Sequence, residues 1–296
     1  MKTAIVTAIR FLAVTILYFI CFAFVSGALL STAIEQPAPA DASATLLPLL
    51  IVSLINAAVW TYVILRSRWS GWKLVMTVFL VSYGVSTVMS QIETAYFVTR
   101  LPPGVLARLF LAGMLTSVLF APLAVLFLGK FKSQPNEKFR DSRLNMPVGV
   151  WIAKLSLIVV VYLLLYFTFG YFIAWQNAAV RVYYGGTDAG SFIDHMTNLL
   201  RTEPLLFLLQ AGRALLWTLI AVPVIKMTKG KWWEAGLAVA LLFGVFMNSL
   251  LLLPNPLMPA EVRMAHLVET ATSNFLFGWI IVLILRAVPP IRASSS

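Results

Sequence analysis

Residues 259–286 read PAEVRMAHLVETATSNFLFGWIIVLILR, and the interpretation of the whole chain starts from this stretch. It begins with polar residues and ends in a continuous apolar run that finishes on Arg286. His266, Glu269 and Asn274 occupy positions where a membrane-crossing helix normally carries leucine or valine. We interpret the stretch as a membrane-spanning helix whose first half carries unusual polar groups.

An earlier stretch, residues 103–130, aligns with this one without a gap and reads PGVLARLFLAGMLTSVLFAPLAVLFLGK. The matched pairs are Pro103 with Pro259, Thr116 with Thr272, Ser117 with Ser273, and Lys130 with Arg286. The polar groups do not match, because Phe110 stands opposite His266 and Gly113 opposite Glu269. The alignment predicts an internal duplication whose second copy has acquired polar side chains.

The composition excludes an ordinary soluble domain. Hydrophobic residues make up 60% of the chain and charged residues 11%, whereas soluble domains carry about 25% charged residues. Mean hydropathy is +0.91. The single cysteine, Cys21, excludes an intrachain disulfide and a cysteine-cluster metal site. The net charge of +11 is not spread over a soluble basic domain, so no nucleic-acid partner is expected.

Eight apolar stretches are long enough to cross a bilayer, which takes about 20 residues. They predict an all-α integral membrane protein with spans at 9–30, 46–65, 74–98, 106–129, 149–175, 204–225, 235–253 and 266–286. The first apolar stretch is longer than the core of a secretory signal peptide, so we interpret it as a span.

A polar segment, residues 131–147, divides the spans into two groups of four. It is predicted to be a cytoplasmic linker between a first four-helix repeat, residues 1–130, and a second one, residues 148–296. Further matches occur in the same order: Arg10 and Tyr18 with Lys154 and Tyr162, NAAVWT at 56–61 with RALLWT at 213–218, and Trp72 to Gly84 with Trp233 to Gly244. Because four is an even number of spans, both repeats enter from the same side and are expected to be parallel.

The distribution of basic residues predicts the orientation. With the N terminus inside, 16 of the 22 lysines and arginines fall on the inner side, including Lys138, Arg140 and Arg143 of the linker. Five fall outside: Arg100, Arg108, Arg181, Arg201 and Arg263. By the positive-inside rule, both termini are expected to be cytoplasmic, and the membrane to be a bacterial plasma (inner) membrane.

The long outer loop, residues 176–203, contains a short amphipathic helix in this interpretation. Ser191 is a suitable N-cap, and Phe192, Met196, Leu199 and Leu200 share one side of the helix. We expect the helix to lie flat at the interface. Asp194 and His195 are expected to be ordinary surface residues.

Unusual polar residues in several different spans are expected to lie at similar depth. Counted at about 1.5 Å per residue from the basic end of each helix, they lie about 18 to about 30 Å along a hydrocarbon layer of about 30 Å. They predict one outward-facing polar cavity between the repeats that binds a ligand or a proton. The predicted lining residues are Glu93, Gln91, Gln210, Arg213, Asn248, His266, Glu269 and Asn274.

The most specific prediction is that Arg213 contacts a partner inside the bundle. A charge well inside a span costs at least a few kcal/mol and usually faces a partner. Glu93 and Glu269 are the expected partners. The alternatives are that Arg213 extends to the membrane surface, and that the polar residues only join helices by hydrogen bonds.

Familiar catalytic motifs are absent from the sequence. It contains no HExxH, GxSxG, Walker or GxGxxG pattern. His266 and Glu269 are an i, i+3 pair, and with Glu93 they would make a chemically reasonable metal set, but no ligand cluster of fixed spacing accompanies them. We therefore expect no metal and no cofactor.

Three functions remain open at this point. The first is a solute transporter or permease in the lipid bilayer. The second is a membrane-embedded enzyme that acts on a lipid or lipid-linked substrate from the outer side. The third is a structural membrane subunit in which the polar groups only hold helices together. The sequence leaves open whether the protein is an enzyme.

The orientation can be tested with reporter fusions. A fusion at residue 136 should report a cytoplasmic position and one at residue 187 an external position, because of the distribution of basic residues. An alkaline phosphatase and fluorescent protein pair at each site measures this. Exchanged signals at the two sites would overturn the predicted orientation.

Overall fold

A computed structural model describes residues 2–31, 43–98, 101–132, 144–186, 190–255 and 257–286. Within these ranges, eight helical segments are long and apolar enough to cross a membrane. We number them span one to span eight: Ala4–Leu30, Thr45–Leu65, Gly71–Phe97, Val105–Phe127, Val148–Ala174, Pro204–Met227, Trp232–Leu252 and Ala260–Arg286. The prediction of an all-helical chain with eight apolar spans is confirmed, and this architecture fits a polytopic membrane protein.

Eleven α-helices build the described part of the chain. They are α1 (Lys2–Leu30), α2 (Ser43–Leu65), α3 (Gly71–Tyr83), α4 (Met89–Phe97), α5 (Val105–Phe127), α6 (Val148–Phe169), α7 (Ala178–Tyr183), α8 (Phe192–Thr202), α9 (Pro204–Met227), α10 (Trp232–Ala240) and α11 (Ala260–Arg286). Helices α7 and α8 lie between spans five and six.

Three spans contain irregular helical turns. Gly84–Val88 in span three, Gly170–Ala174 in span five and Leu241–Phe246 in span seven are π-helical. Asn248–Leu252 continues span seven as a 3₁₀-helix. Such turns shift the side chains that follow them relative to a regular α-helix, and they are frequent at functional sites.

Span eight begins at Ala260, six residues before the predicted start at residue 266. Pro259 directly precedes the helix, and Glu261 lies in its first turn. A negative charge in the first turn complements the positive end of the helix dipole. The earlier start places His266 and Glu269 inside the helix rather than at its end.

A large apolar surface faces outward. On span one, Ile9, Ile16, Ile20 and Phe24 are all more than half exposed and are separated by four or seven residues, so they form one stripe. Apolar exposure of this extent is typical of a helix that contacts lipid rather than water.

The neighbours within the two groups of four spans correspond. Span one packs against spans two and four, and span three packs against span four. Span five packs against spans six and eight, and span seven packs against span eight. Between the groups, span two contacts span seven and span three contacts span six.

The segments that follow spans two and six pair with each other at one end of the bundle, which we call the basic end. Ser67 and Thr228 form an isolated antiparallel bridge. The backbone bonds are reciprocal: Arg68 N donates to Met227 O at 2.7 Å, and Lys229 N donates to Arg66 O at 2.8 Å. An ion pair between Arg66 and Glu234 strengthens the same junction.

Two basic side chains bind the last carbonyls of neighbouring helices at this end. Arg10 Nη1 donates to Leu128 O at 3.3 Å. Lys154 Nζ donates to Ile284 O at 2.7 Å and to Leu285 O at 3.1 Å. The final carbonyls of a helix have no partner within it, so these cations stabilise the ends of spans four and eight.

Lys130 is half-buried at the same junction, and its Nζ donates to Ser67 O at 2.8 Å. Burial, and then the positive charge of Lys229, lower the pKa of the Lys130 ammonium below its ordinary value.

Several predicted features lie outside the described residues. They are residues 133–143 of the linker with Lys138, Arg140 and Arg143, residues 187–189 of the outer loop, Arg100, and the C-terminal residues 287–296.

Close packing of spans seven and eight depends on Gly278. A β-carbon at this position would lie 2.8 Å from Ala240 Cα and 2.9 Å from Ala240 N. Gly278→Ala should therefore lower the free energy of unfolding by about 1–3 kcal/mol. The matched control is Gly212→Ala, since a β-carbon there meets nothing within 4 Å and alanine favours the helix by up to about 1 kcal/mol. Unfolding in micelles measures both variants, and equal stability of the two would contradict the packing argument.

Candidate functional site

Arg213 lies buried in span six and contacts span three through its guanidinium group. Its Nη1 forms an ion pair with Glu93 Oε1 from span three, and the same nitrogen donates to Gln210 Oε1 at 2.7 Å. Its Nη2 donates to the backbone oxygen of Met89 at 3.2 Å. Of the two expected carboxylate partners, Glu93 is therefore the one in contact.

The two members of the ion pair differ in accessibility. The side chain of Arg213 is 3% exposed, whereas that of Glu93 is 26% exposed. Gln210 is fully buried and lies one helical turn before Arg213, so both side chains share a face of α9. The carboxylate of Glu93 is therefore more accessible from outside the bundle than the guanidinium group of Arg213.

Span five contributes two tyrosines to this ion pair. The hydroxyl of Tyr162 donates to Gln210 Oε1 at 3.4 Å. Tyr166 lies one turn further along span five, and the charges of both Glu93 and Arg213 act on it. We call Glu93, Arg213, Gln210, Tyr162 and Tyr166 the arginine cluster.

A second polar arrangement joins span eight to the segment after α7. His266 Nδ1 and Glu269 Oε2 are 2.9 Å apart, and His266 Nε2 lies 3.1 Å from the Tyr184 hydroxyl. When Nδ1 donates to Glu269 Oε2 and the imidazole is neutral, Nε2 is left to accept from the Tyr184 hydroxyl. We call these three residues the histidine cluster.

The two clusters are electrostatically coupled. The charge of Glu93 acts on His266, and the charge of Glu269 acts on Tyr162 and Tyr166. Tyr184 is affected by both carboxylates. Burial, followed by Tyr183, Glu93 and Glu269, raises the pKa of the Tyr184 phenol well above its ordinary value.

Irregular turns of two spans lie next to the carboxylates. The π-helical turn Gly84–Val88 ends one residue before α4, the helix that carries Glu93. A β-carbon on Gly170, at the start of the π-helical turn of span five, would lie 3.8 Å from Glu269 Oε1. Both carboxylates are therefore positioned by helix geometry that departs from a regular α-helix.

Helices α7 and α8 cover this end of the bundle. The Tyr183 hydroxyl donates to Leu257 O at 2.7 Å, and Ser191 caps α8 by accepting from Asp194 N at 3.1 Å, as predicted. His195 is not an ordinary surface residue, because it packs against Trp175 and Tyr171 with ring centroids 5.1 and 5.4 Å away. Burial lowers the pKa of His195.

Three of the predicted cavity residues have other surroundings. Asn248 donates to Phe243 O at 3.1 Å and Gly244 O at 2.9 Å, and it accepts from Thr270 at 2.6 Å, so it stabilises the irregular part of span seven. Asn274 Nδ2 lies 3.5 Å from the sulfur of Met247. Gln91 is half-buried on α4. No described contact joins these three to the arginine or histidine cluster.

Two hollows of the described structure are lined by residues outside both clusters. One, of about 320 Å³, is lined by Gly244, Val245, Ala271, Thr272, Phe275 and Leu276. The other, of about 650 Å³, is lined by Ala4, Thr7, Ala8, Phe11, Ala58, Thr61 and Tyr62. Both are open and mainly apolar, so the outward-facing polar cavity stays a prediction. Among the described residues, no group of three or more histidine, cysteine or acidic side chains is arranged to hold a metal ion.

Tyr162, Tyr166 and Tyr184 were not singled out as site residues from the sequence. Tyr162 was noted only because its spacing from Lys154 matches that of Tyr18 from Arg10. A tyrosine inside an apolar span carries a hydroxyl that needs a partner when buried, and this could have drawn attention to it. Tyr184 lies in a loop, where sequence periodicity carries no information about its neighbours.

Comparison with known proteins identifies no relative: no protein-family model matches the chain, and no curated protein or solved structure shows a significant match. The function must therefore be inferred from the geometry of these clusters.

The ion pair can be measured with a double-mutant cycle. Arg213→Leu leaves Glu93 without its partner and should lower the free energy of unfolding by about 3–5 kcal/mol. Adding Glu93→Gln removes the stranded charge and should restore part of this loss, whereas Glu93→Gln alone leaves the guanidinium unpaired. Denaturation in micelles gives the four free energies.

The neutral contact between Ser249 and Asn56, at 2.8 Å, provides the matched control for this cycle. Asn56→Leu with Ser249→Ala should show a coupling of about 1 kcal/mol or less. Fully additive losses for Arg213 and Glu93 would mean that the two groups do not interact in the folded protein.

Proposed function

We propose that this protein is a proton-coupled solute transporter whose polar site lies between its two groups of four spans. The observation that carries the proposal is the ion pair between Glu93 of span three and Arg213 of span six, which spans the two groups. Ionisable groups inside a membrane are costly and usually mark the path of an ion, a proton or a substrate. Glu93 is the proton site in this proposal, and Arg213 is its counter-charge.

The histidine cluster supports proton coupling. His266 ionises near neutral pH when unperturbed, and it connects Glu269 with the Tyr184 hydroxyl near the covered end of the bundle. The charge of Glu93 acts on the same imidazole. A proton gained or lost by one cluster therefore changes the electrostatic energy of the other.

The proposal includes two parallel repeats related by an axis along the membrane normal. The corresponding neighbours within each group of spans support it, as does the reciprocal pairing around Ser67 and Thr228. Arg10 and Lys154, which match in the sequence, bind Leu128 O and Ile284 O, which also match. Repeats of this kind are common in secondary transporters, with the substrate site between them.

The orientation and location belong to the proposal as well. Both termini are placed in the cytoplasm of a bacterial cell, and the two clusters face the outer half of its plasma membrane. The arginines and lysines at the basic end support this placement, because cytoplasmic segments of membrane proteins are enriched in them.

The described conformation does not leave a path to Arg213, whose residue is 2% exposed. Alternating access requires that spans move against one another around the site. The π-helical turns in spans three, five and seven support such movement, because irregular turns interrupt the regular hydrogen bonding that stiffens a helix.

Cysteine labelling tests alternating access without knowledge of the solute. Cys21, the single cysteine of the chain, is replaced by alanine, and a cysteine is placed at Gln210. A transporter should allow a membrane-impermeant maleimide to label this position from either side, and Glu93→Gln should change the ratio of the two rates. Mass spectrometry of protein in oriented vesicles measures both rates.

Val14→Cys, at a fully buried position of span one, is the unreactive control for this labelling. Absence of label at Gln210 from both sides would favour a structural subunit and contradict transport.

An enzyme acting on a lipid or lipid-linked substrate is the second candidate. The histidine cluster favours this enzyme, because it places the Glu269 carboxylate, the His266 imidazole and the Tyr184 hydroxyl in a row. A carboxylate that orients an imidazole beside a hydroxyl is an arrangement used for general-base chemistry. In the labelling experiment, the enzyme predicts access to Gln210 from the side of α7 and α8 alone.

A further inference from the structure

Two buried N–H donors on one face of span six have no acceptor among the described residues. They are Gln210 Nε2 and Arg213 Nε. The spacing of three residues places them on one side of the helix. A buried donor without an acceptor costs about 1–3 kcal/mol, so this face of span six is suited to a ligand that accepts hydrogen bonds.

Comparison with the first half of the chain shows which feature of the donor face of span six has no counterpart there. Asn56 and Trp60 match Arg213 and Trp217 in the sequence. Trp60 Nε1 is also buried without an acceptor. Asn56 is neutral and has two partners, because its side chain hydrogen-bonds Tyr18 and its Oδ1 accepts from Ser249. Amide and indole donors are thus common to both halves, whereas the positive charge occurs only in the second.

The guanidinium group selects the chemistry of the ligand. Arginine presents a planar fork of donors that fits the two oxygens of a carboxylate. In the described structure Nη1 serves Glu93 and Gln210, Nη2 serves the carbonyl of Met89, and Nε is free of hydrogen bonds. A carboxylate ligand could accept from Nε and from Gln210 Nε2 without competing for the bonds already made by Nη1.

Charge balance links this ligand to a proton. The Glu93–Arg213 pair is neutral as a whole, and an added anion would leave a net negative charge in an apolar interior close to Glu269. Such a charge costs several kcal/mol unless it is compensated. One proton restores neutrality. The guanidinium group is already protonated and cannot accept it, whereas the carboxylate of Glu93 can, and its side chain is 26% exposed.

We propose that the donor face of span six binds a monovalent carboxylate, and that each carboxylate enters with one proton, which Glu93 takes up. The proton forms the O–H bond of a neutral Glu93 carboxyl, the ionic contact of Glu93 with Nη1 becomes a hydrogen bond to a neutral group, and the charge of the guanidinium group pairs with the ligand. This inference rests on the proposed transport function and specifies its substrate class and coupling.

Several ionisable groups on neighbouring elements interact electrostatically with Glu93 or with the groups around it. They are Arg213 of span six, Tyr162 and Tyr166 of span five, Tyr184 after α7, and His266 and Glu269 of span eight. Of these, His266 and Glu269 are the two that could compete for the proton, so the test must separate them from Glu93.

Binding to the full-length protein in nanodiscs tests the proposal. The probes are sodium acetate, lactate and benzoate, with inorganic phosphate and chloride as further arms, and the readouts are thermal shift and calorimetry. Because one proton is bound with each carboxylate, the Kd of the carboxylates should rise about tenfold for each unit of pH between about pH 5 and about pH 8. Calorimetry in buffers of different ionisation enthalpy should give one proton bound per carboxylate.

Three variants assign the groups. Glu93→Gln imitates the protonated acid and should bind carboxylates with a Kd that is independent of pH and without proton uptake. Glu93→Gln with Arg213→Met keeps the site neutral, so it should fold, and it should lose binding at least tenfold. Glu269→Gln should keep the uptake of one proton. Asn56→Leu changes the corresponding position of the first half and is the control whose binding should equal that of the wild type.

Each outcome decides a different part of the proposal. Absence of saturable carboxylate binding in both the wild type and Glu93→Gln would overturn it, as would binding of phosphate or chloride in preference to carboxylates. A Kd of the wild type that is independent of pH would overturn the coupling. Labelling of Gln210 from both sides without carboxylate binding would leave transport standing and refute this inference alone, whereas binding without two-sided labelling would refute transport and keep the site.

Discussion

A single charged contact within an apolar bundle, the ion pair of Arg213 with Glu93, constrains this structure more than any other. Apolar packing between spans can be exchanged for contact with lipid at little cost, because lipid tails are as apolar as the side chains they replace. A guanidinium group cannot be exchanged in this way. Spans three and six therefore stay in contact while Glu93 is the partner of Arg213, and this contact joins the two groups of four spans.

The two ends of the bundle are held together by different means. At the basic end, backbone pairing of Ser67 with Thr228 and the helix-capping cations Arg10 and Lys154 fix the ends of several spans. At the opposite end, the contacts run through long side chains, and the helices contain π-helical turns. Side chains can change partners while the helices stay folded. Backbone hydrogen bonds between two segments cannot be exchanged without local unfolding. Any movement that opens the arginine cluster is therefore expected to pivot at the basic end.

The sequence was sufficient to predict the features that depend on which residues follow one another along a helix. Apolar length identified all eight spans, and the cost of a buried charge singled out Arg213 together with its two possible partners. The choice of Glu93 over Glu269 depends on how spans three, six and eight pack, which no local pattern encodes. Asn248 was assigned by depth alone, yet its amide serves the carbonyls of its own helix. Depth places a residue along the membrane normal but leaves its direction around the helix open.

The proposed duplication offers an internal comparison for the meaning of the charge. Asn56 of span two bonds Ser249 of span seven, while Arg213 of span six pairs with Glu93 of span three. Each contact joins corresponding spans of opposite groups, but only the second is ionic. Replacing a buried ion pair by neutral or apolar groups is often neutral or stabilising, so folding alone does not favour the charged version. The neutral contact of Asn56 with Ser249 joins spans two and seven without charge. Folding therefore does not account for the ion pair, whereas the proposed carboxylate site does.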